Sequence, residues 1–129
     1  MSWRRARAAQ DQRGQAVVET ALVLPLVVLF LLAVVQVGLV MRAQVLVTHA
    51  AREAARAAAV DPDPAAASRA ADGATGLDPQ RLRVEVSGRD GRGSQVRVRV
   101  RYRAATDVPF VGALVGDVSI DAEATMRVE

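Results

Sequence analysis

Glu19 is an acidic residue at the start of a long apolar run, and its type and place suggest chemistry. In residues 21–40 only Pro25, Gln36 and Gly38 interrupt the apolar side chains. A carboxylate at the edge of hydrocarbon is costly unless it is paired, so we treat Glu19 first as functional. The chemistry that it offers is charge pairing. The alternative is a carboxylate that only extends to the lipid–water interface.

Residue types that carry catalysis are few and isolated. His49 is the single histidine, and Glu53 follows it by one helical turn, an arrangement more typical of a surface or packed residue than of a base. Four serines stand without a nearby base: Ser68, Ser87, Ser94 and Ser119. There is no cysteine, phosphate-binding glycine loop or metal-ligand spacing. We predict no enzymatic activity, no catalytic residue, no cofactor and no metal; activity that depends on His49 would be the sign of an enzyme.

The charge of the chain is concentrated at its start. All 17 basic residues are arginine, and residues 15–129 hold 13 of them beside 13 acidic residues. Nucleic-acid binding needs a basic patch with motifs or stacking aromatic residues, and the chain has four aromatic side chains. We therefore predict neither a nucleic-acid partner nor a small-molecule substrate.

The apolar run is long enough to cross a membrane. Twenty residues at about 1.5 Å each span about 30 Å, the thickness of the hydrocarbon core. Four arginines precede the run, whereas fewer basic residues follow it closely, so the positive-inside rule predicts a cytoplasmic N-terminus. We expect a single-pass protein of the cell membrane, in contact with the lipid bilayer, with its C-terminal part extracytoplasmic. The alternative, a secretory signal peptide, usually has a shorter apolar region and a small-residue cleavage site.

Helical signals continue beyond the membrane run. Residues 42–60 contain no glycine or proline and are rich in alanine, so one helix is expected over residues 15–60. Pro25 removes a backbone hydrogen bond and predicts a bend there. The sequence DPDP at residues 61–64 ends the helix. A short helix is expected over residues 65–71, followed by a loop that opens at Asp72 and Gly73 and includes Gly76.

Three segments then alternate apolar and polar residues, which is typical of half-buried strands. Their apolar faces carry the following residues: Leu82, Val84 and Val86; Val96, Val98, Val100 and Tyr102; Val118, Ile120, Ala122, Ala124, Met126 and Val128. The glycine-rich residues 88–93 predict a hairpin between the first two strands. The sequence therefore predicts an α+β fold in which the long helix packs its alanines on a small antiparallel sheet.

The polar face of the second strand carries a ladder of arginines: Arg97, Arg99, Arg101 and Arg103. Acidic residues on the other two strands are available to pair with it: Glu85, Asp121, Glu123 and Glu129. Cross-strand pairs of opposite charge stabilise a sheet by about 0.2–1 kcal/mol each. The ladder is expected to be a solvated, ion-paired face, and the alternative is a surface that docks an acidic partner.

The segment RGQAVVE at residues 13–19 resembles the processing site of type IV prepilins. In those proteins a prepilin peptidase cuts after glycine, and the fifth residue of the mature chain is glutamate; Gly14 and Glu19 stand at those places, and Gln15 would be the first mature residue. More narrowly, GQAVVETALVLP ending at Pro25, QVG at residues 36–38 and AAREAAR at residues 50–56 resemble TadE-like pseudopilins of Tad (Flp) pilus systems. The C-terminal strand is also similar.

The resemblance implies a division into a cleaved basic leader, residues 1–14, a transmembrane helix, residues 15–41, and a pilin-like extracytoplasmic domain, residues 42–129. It implies a minor pilin, with prepilin peptidase, other Tad/Flp subunits and inner-membrane assembly proteins as partners. Glu19 would fix the register between packed helices by pairing with the free amine of Gln15 in a neighbour, and Pro25 belongs to the same assembly segment. The rival is an unprocessed, membrane-anchored binding protein that docks an envelope or secretion partner.

Overall fold

The computed structural model describes the backbone of residues 2–129 and the side chains of residues 14–129. The chain folds as helix α1 (Ser2–Val60), helix α2 (Pro64–Thr75), a 3-10 turn (Pro79–Arg81), strands β1 (Leu82–Ser87) and β2 (Gln95–Ala104), short helix α3 (Val111–Val115) and strand β3 (Val118–Arg127). This architecture confirms the predicted α+β fold, with a long apolar N-terminal helix and a small antiparallel sheet.

Helix α1 is a single element of 59 residues, about 90 Å long at 1.5 Å per residue. It ends at Val60 as predicted, before the two prolines that follow Asp61 and Asp63. It begins at Ser2 rather than at residue 15, because residues 2–13 contain no glycine or proline and include strong helix formers. The arginine side chains of the basic leader lie outside the described residues. Pro25 lies inside the helix, and the bend expected there stays a prediction.

Helix α2 is longer than the sequence suggested, and the loop expected at Asp72 and Gly73 is helical. Asp63 caps its start, because the carboxylate accepts the backbone N–H of Ala65 at 3.0 Å. A hydrogen bond from Arg69, together with that from the Ala65 N–H, lowers the pKa of Asp63. Gly76 ends the helix in the left-handed conformation, with φ of 62°. The helix continues through Gly73 because Ala66, Ala67 and Ala71 are buried and hold it in place.

The sheet has strand order β1-β2-β3, and both pairings are antiparallel. Val84 lies opposite Val100, which in turn lies opposite Ala122, so the apolar residues share one face as predicted. Residues 88–94 connect β1 and β2 as the expected hairpin. One member of the predicted apolar face differs, because Val86 is 38% exposed near the hairpin end of edge strand β1.

The core lies between this face and the two long helices. The part of α1 from Ala43 onward contacts β2 and β3, and α2 contacts α1 and β1. Alanines of α1 and valines of β2 are at most 1% exposed: Ala50, Ala51, Ala54, Ala55, Val96, Val98 and Val100. Small side chains let the helix approach the sheet closely, so the core is thin and rich in alanine. At the end of the chain, the Glu129 N–H donates to the carbonyl of Ala59.

Candidate assembly and docking surfaces

Residues 14–31 form an exposed, largely apolar stretch of α1, the bare helix. Its candidate membrane segment lies within residues 14–60. The most apolar part of that segment has a mean hydropathy of 2.8, and almost none of its residues is buried by the rest of the described chain. Its large apolar side chains are exposed, for example Leu22 at 75%, Leu26 at 68% and Phe30 at 67%. The helix is compatible with a single-pass membrane anchor, because every residue from Gly14 to Leu31 is exposed.

Glu19 lies on this bare helix and is exposed. It lines a shallow groove of about 360 Å³ together with Ala16, Thr20 and Val23. The Thr20 hydroxyl is satisfied within the helix, since it donates to the carbonyl of Ala16 at 2.9 Å. The carboxylate therefore stands among apolar groups on a surface that is open to another helix.

Gly14 and Gln15 are exposed helical residues one turn before Glu19. A side chain added at Gly14 would meet no atom within 4 Å, so the fold of this chain does not require glycine there. Pro25 follows Glu19 by six residues on the same bare helix.

Three members of the arginine ladder form ion pairs with β3. Glu123 receives both Arg97 and Arg99 at 3.0 Å, and Arg101 contacts Asp121 at 2.9 Å. The hydrogen bond to Asp121, together with the charges of Asp121 and Glu85, raises the pKa of Arg101. These pairs agree with the expected ion-paired face.

Arg103 differs from the rest of the ladder. It lies opposite Ser119 and beyond the end of β1, so the strand pairing gives it no acidic neighbour. It lines a groove of about 300 Å³ whose charged side chains are four arginines and one aspartate: Arg81, Arg83, Arg101, Arg103 and Asp117. Arg101 is paired with Asp121 and Arg81 with Asp78, so the excess positive charge of this groove comes from Arg83 and Arg103 beside Asp117.

His49 is exposed on α1, beside Gln44, Val45 and Arg52. Within residues 14–129, no group of three or more His, Cys, Asp or Glu side chains could hold a metal ion.

Gln36 is a polar residue whose place sequence reasoning did not foresee. It is 6% exposed, and its Oε1 has no hydrogen-bond partner among the described residues. It lines a cavity of about 290 Å³ with Leu39, Val40 and Asp107. The only sequence signal was a polar residue late in an apolar run. Gln36 marks the level at which the C-terminal part of the chain meets α1.

The comparisons with known proteins concern the same half of the molecule. Residues 14–56 match a family model described as TadE-like protein. Neither a curated protein nor a solved structure matches the chain significantly. The matched stretch begins at Gly14, contains Glu19, Pro25 and Gln36, and ends within the alanine-rich part of α1. It covers a third of the chain and confirms the predicted resemblance: residues 14–56 are TadE-like.

Proposed function

We propose that this protein is a minor pilin or pseudopilin of a Tad-type (Flp) pilus. Its TadE-like segment associates it with Tad pilus components in general. In the proposed role the chain is inserted with its N-terminus in the cytoplasm, is cut after Gly14 by prepilin peptidase, and contributes to pilus assembly. Its partners are other Tad/Flp subunits and inner-membrane assembly proteins, and its role is structural rather than catalytic.

The observation that carries this proposal is the bare helix with an exposed carboxylate near its start. A helix that only anchors a domain needs about 20 apolar residues and no acid among them. Here Glu19 is followed by exposed side chains that could contact lipid first and neighbouring helices later. A free amine at Gln15 would supply a charge partner for Glu19 of an adjacent subunit, in surroundings where an unpaired charge is costly.

The proposed division of the chain follows the change along α1 from exposed to buried side chains. Residues 1–14 form the leader, residues 15–41 the transmembrane helix and residues 42–129 the extracytoplasmic domain. Burial supports a boundary near residue 41, because Ala43 is buried against the sheet whereas Met41 is 62% exposed. The domain also contacts the last part of the proposed span, where Gln36 is buried and Leu32 and Val40 are half-buried.

The second candidate is an uncleaved, membrane-anchored binding protein. The groove lined by Arg83 and Arg103 favours it, because its excess positive charge could dock an acidic partner. In this role the helix stays in the bilayer permanently.

Fractionation of cells with an active Tad system distinguishes the two candidates. Pili are sheared from the cells, and the chain is followed by immunoblot in the pilus and membrane fractions, with an integral membrane protein as the control. We expect part of the chain to be recovered with the pili, free of the control protein. Its confinement to the membrane fraction would support the anchored binding protein instead.

A further inference from the structure

Residues 108–116, between β2 and β3, form an apolar loop that begins at the buried Val108 and is exposed at its tip. Their sequence, VPFVGALVG, carries no polar side chain and is flanked by Asp107 and Asp117. Phe110 is 73% exposed and Leu114 83% exposed. Contiguous apolar side chains that remain exposed on a folded domain mark a surface that contacts something else.

The loop is closed on itself and holds Phe110 at its tip. The Thr106 hydroxyl donates to the carbonyl of Gly116, and the Gly112 N–H donates to the carbonyl of Val108 at 3.1 Å. The Val111 N–H bonds the carbonyl of Pro109 at 2.8 Å, which closes a γ-turn centred on Phe110.

Two features show that the loop conformation places strict limits on its residues. Phe110 has φ of 66°, a conformation that is strained for an aromatic residue and is kept mainly at functional positions. A side chain at Gly112 would stand 2.3 Å from the carbonyl oxygen of Thr106, so only glycine fits there. The strained backbone at Phe110 therefore holds an apolar side chain in an exposed position.

The loop lies beside the end of the apolar run of α1. The residues just before the loop, Ala105 and Asp107, line a groove with Gln36 and Val40, and helix α3 within the loop contacts α1. Gln36 precedes the end of the run at Val40 by four residues, or about 6 Å along the helix. Elements that lie in the lipid–water interface reach about 5–10 Å into it.

The β1–β2 hairpin lies at the opposite end of the domain. Gly93 bonds Val128, and the neighbouring Glu129 bonds Ala59, which is about 35 Å further along α1 than Gln36. The exposed apolar loop is therefore at the membrane-proximal end of the sheet.

We propose that residues 108–116 insert into the lipid–water interface of the bilayer while the subunit is anchored there. Phe110 and Leu114 contact the upper acyl chains, and Asp107 and Asp117 lie at the level of the polar head groups. The loop then continues the apolar surface of α1 and fixes the tilt of the domain against the membrane. This inference rests on the proposed membrane placement of α1.

Single tryptophans in the full chain test the proposal. The background is Trp3→Phe, and the reporters are Phe110→Trp and, where the backbone is not strained, Leu114→Trp. Leu31→Trp reports on the span, and Arg92→Trp reports on the distant hairpin. Each variant is reconstituted into phosphatidylcholine vesicles with or without bromine on the upper acyl chain, and its fluorescence is compared.

We expect bromolipid to reduce the emission of both loop reporters at least about twofold, as befits side chains within the interface, and to leave the hairpin reporter unchanged. Loop reporters that behave like the hairpin reporter, while the span reporter is quenched, would overturn the proposal and leave the membrane placement intact. An unquenched span reporter would overturn the membrane placement itself. Loop emission that shifts only with protein concentration would indicate a contact between copies and contradict lipid insertion.

Discussion

At the scale of single residues, Glu19 is the side chain whose surroundings most require a partner. It is exposed on a helix whose next twenty residues are almost entirely apolar. The same helix satisfies its neighbour Thr20 through the carbonyl of Ala16. A lone carboxylate can extend to the interface, but it can also pair with an ammonium group on a second helix, and these two roles differ in what its removal does.

We predict that Glu19→Ala leaves membrane insertion intact and impairs assembly. Loss of the acid makes the helix more apolar, so insertion should be equal or better. The amine of a neighbouring Gln15 would then lack its partner during helix packing. Glu19→Gln should fall between the two, because an amide accepts a hydrogen bond but carries no charge. The measurement is the amount of chain recovered with sheared pili, relative to membrane content and cleavage state.

Thr20→Ala is the matched control, since it removes an exposed polar group from the same turn without changing charge. It should assemble normally. Full assembly of Glu19→Ala at normal expression would contradict the proposed charge pair. Glu19 would then be only a carboxylate that extends to the lipid–water interface.

The two faces of β2 give a second prediction at this scale. Val98 is fully buried against α1, so Val98→Asp should lower the free energy of unfolding by roughly 3–5 kcal/mol. The Arg99 side chain is 52% exposed in its ion pair. Arg99→Ala should therefore lower the free energy of unfolding by under about 1 kcal/mol, because exposed ion pairs are weak. Urea unfolding of the full chain in detergent measures both. A larger loss for Arg99→Ala would reverse the assignment of the two faces.

At the scale of elements, the sequence predicted those helices and strands whose apolar pattern is sustained over many residues. The end of α1 follows from Pro62 and Pro64, and the three strands follow from alternation over six to ten residues. The extent of α2 was missed because glycine lowers helix propensity locally, whereas burial of Ala67 and Ala71 stabilises the helix through contacts distant in sequence. The strained turn at Phe110 has no sequence signal, because its conformation is set by the loop around it.

The two glycines of α2 test the corrected length of that helix. Gly73→Ala should stabilise the protein by about 0.5–1 kcal/mol, because Gly73 is helical and an added side chain meets nothing within 4 Å. Gly76→Ala should destabilise it by about 1–2 kcal/mol, because φ there is positive. Thermal melts of the two variants compare them directly. Destabilisation by Gly73→Ala would indicate a loop at that position.

At the scale of the whole molecule, α1 has two halves with different environments. Its C-terminal half is the support on which the sheet folds, with seven of the eight alanines from Ala43 to Ala59 buried. The bare helix, residues 14–31, carries the candidate processing and assembly residues. Those residues could be named from sequence, because their types and spacing are local. The contacts proposed for them could not be predicted, because the proposal assigns those contacts to other molecules.

The central claim is that the leader is removed so that the bare helix can assemble, and the mature N-terminus tests it most directly. The chain is isolated from membranes of cells with active prepilin peptidase, and its N-terminal peptide is identified by mass spectrometry. We predict that it begins at Gln15. We also predict that Gly14→Val blocks cleavage without affecting folding, because there is open space around Gly14. A chain that begins at Met1 or Ser2 in those cells would contradict the account.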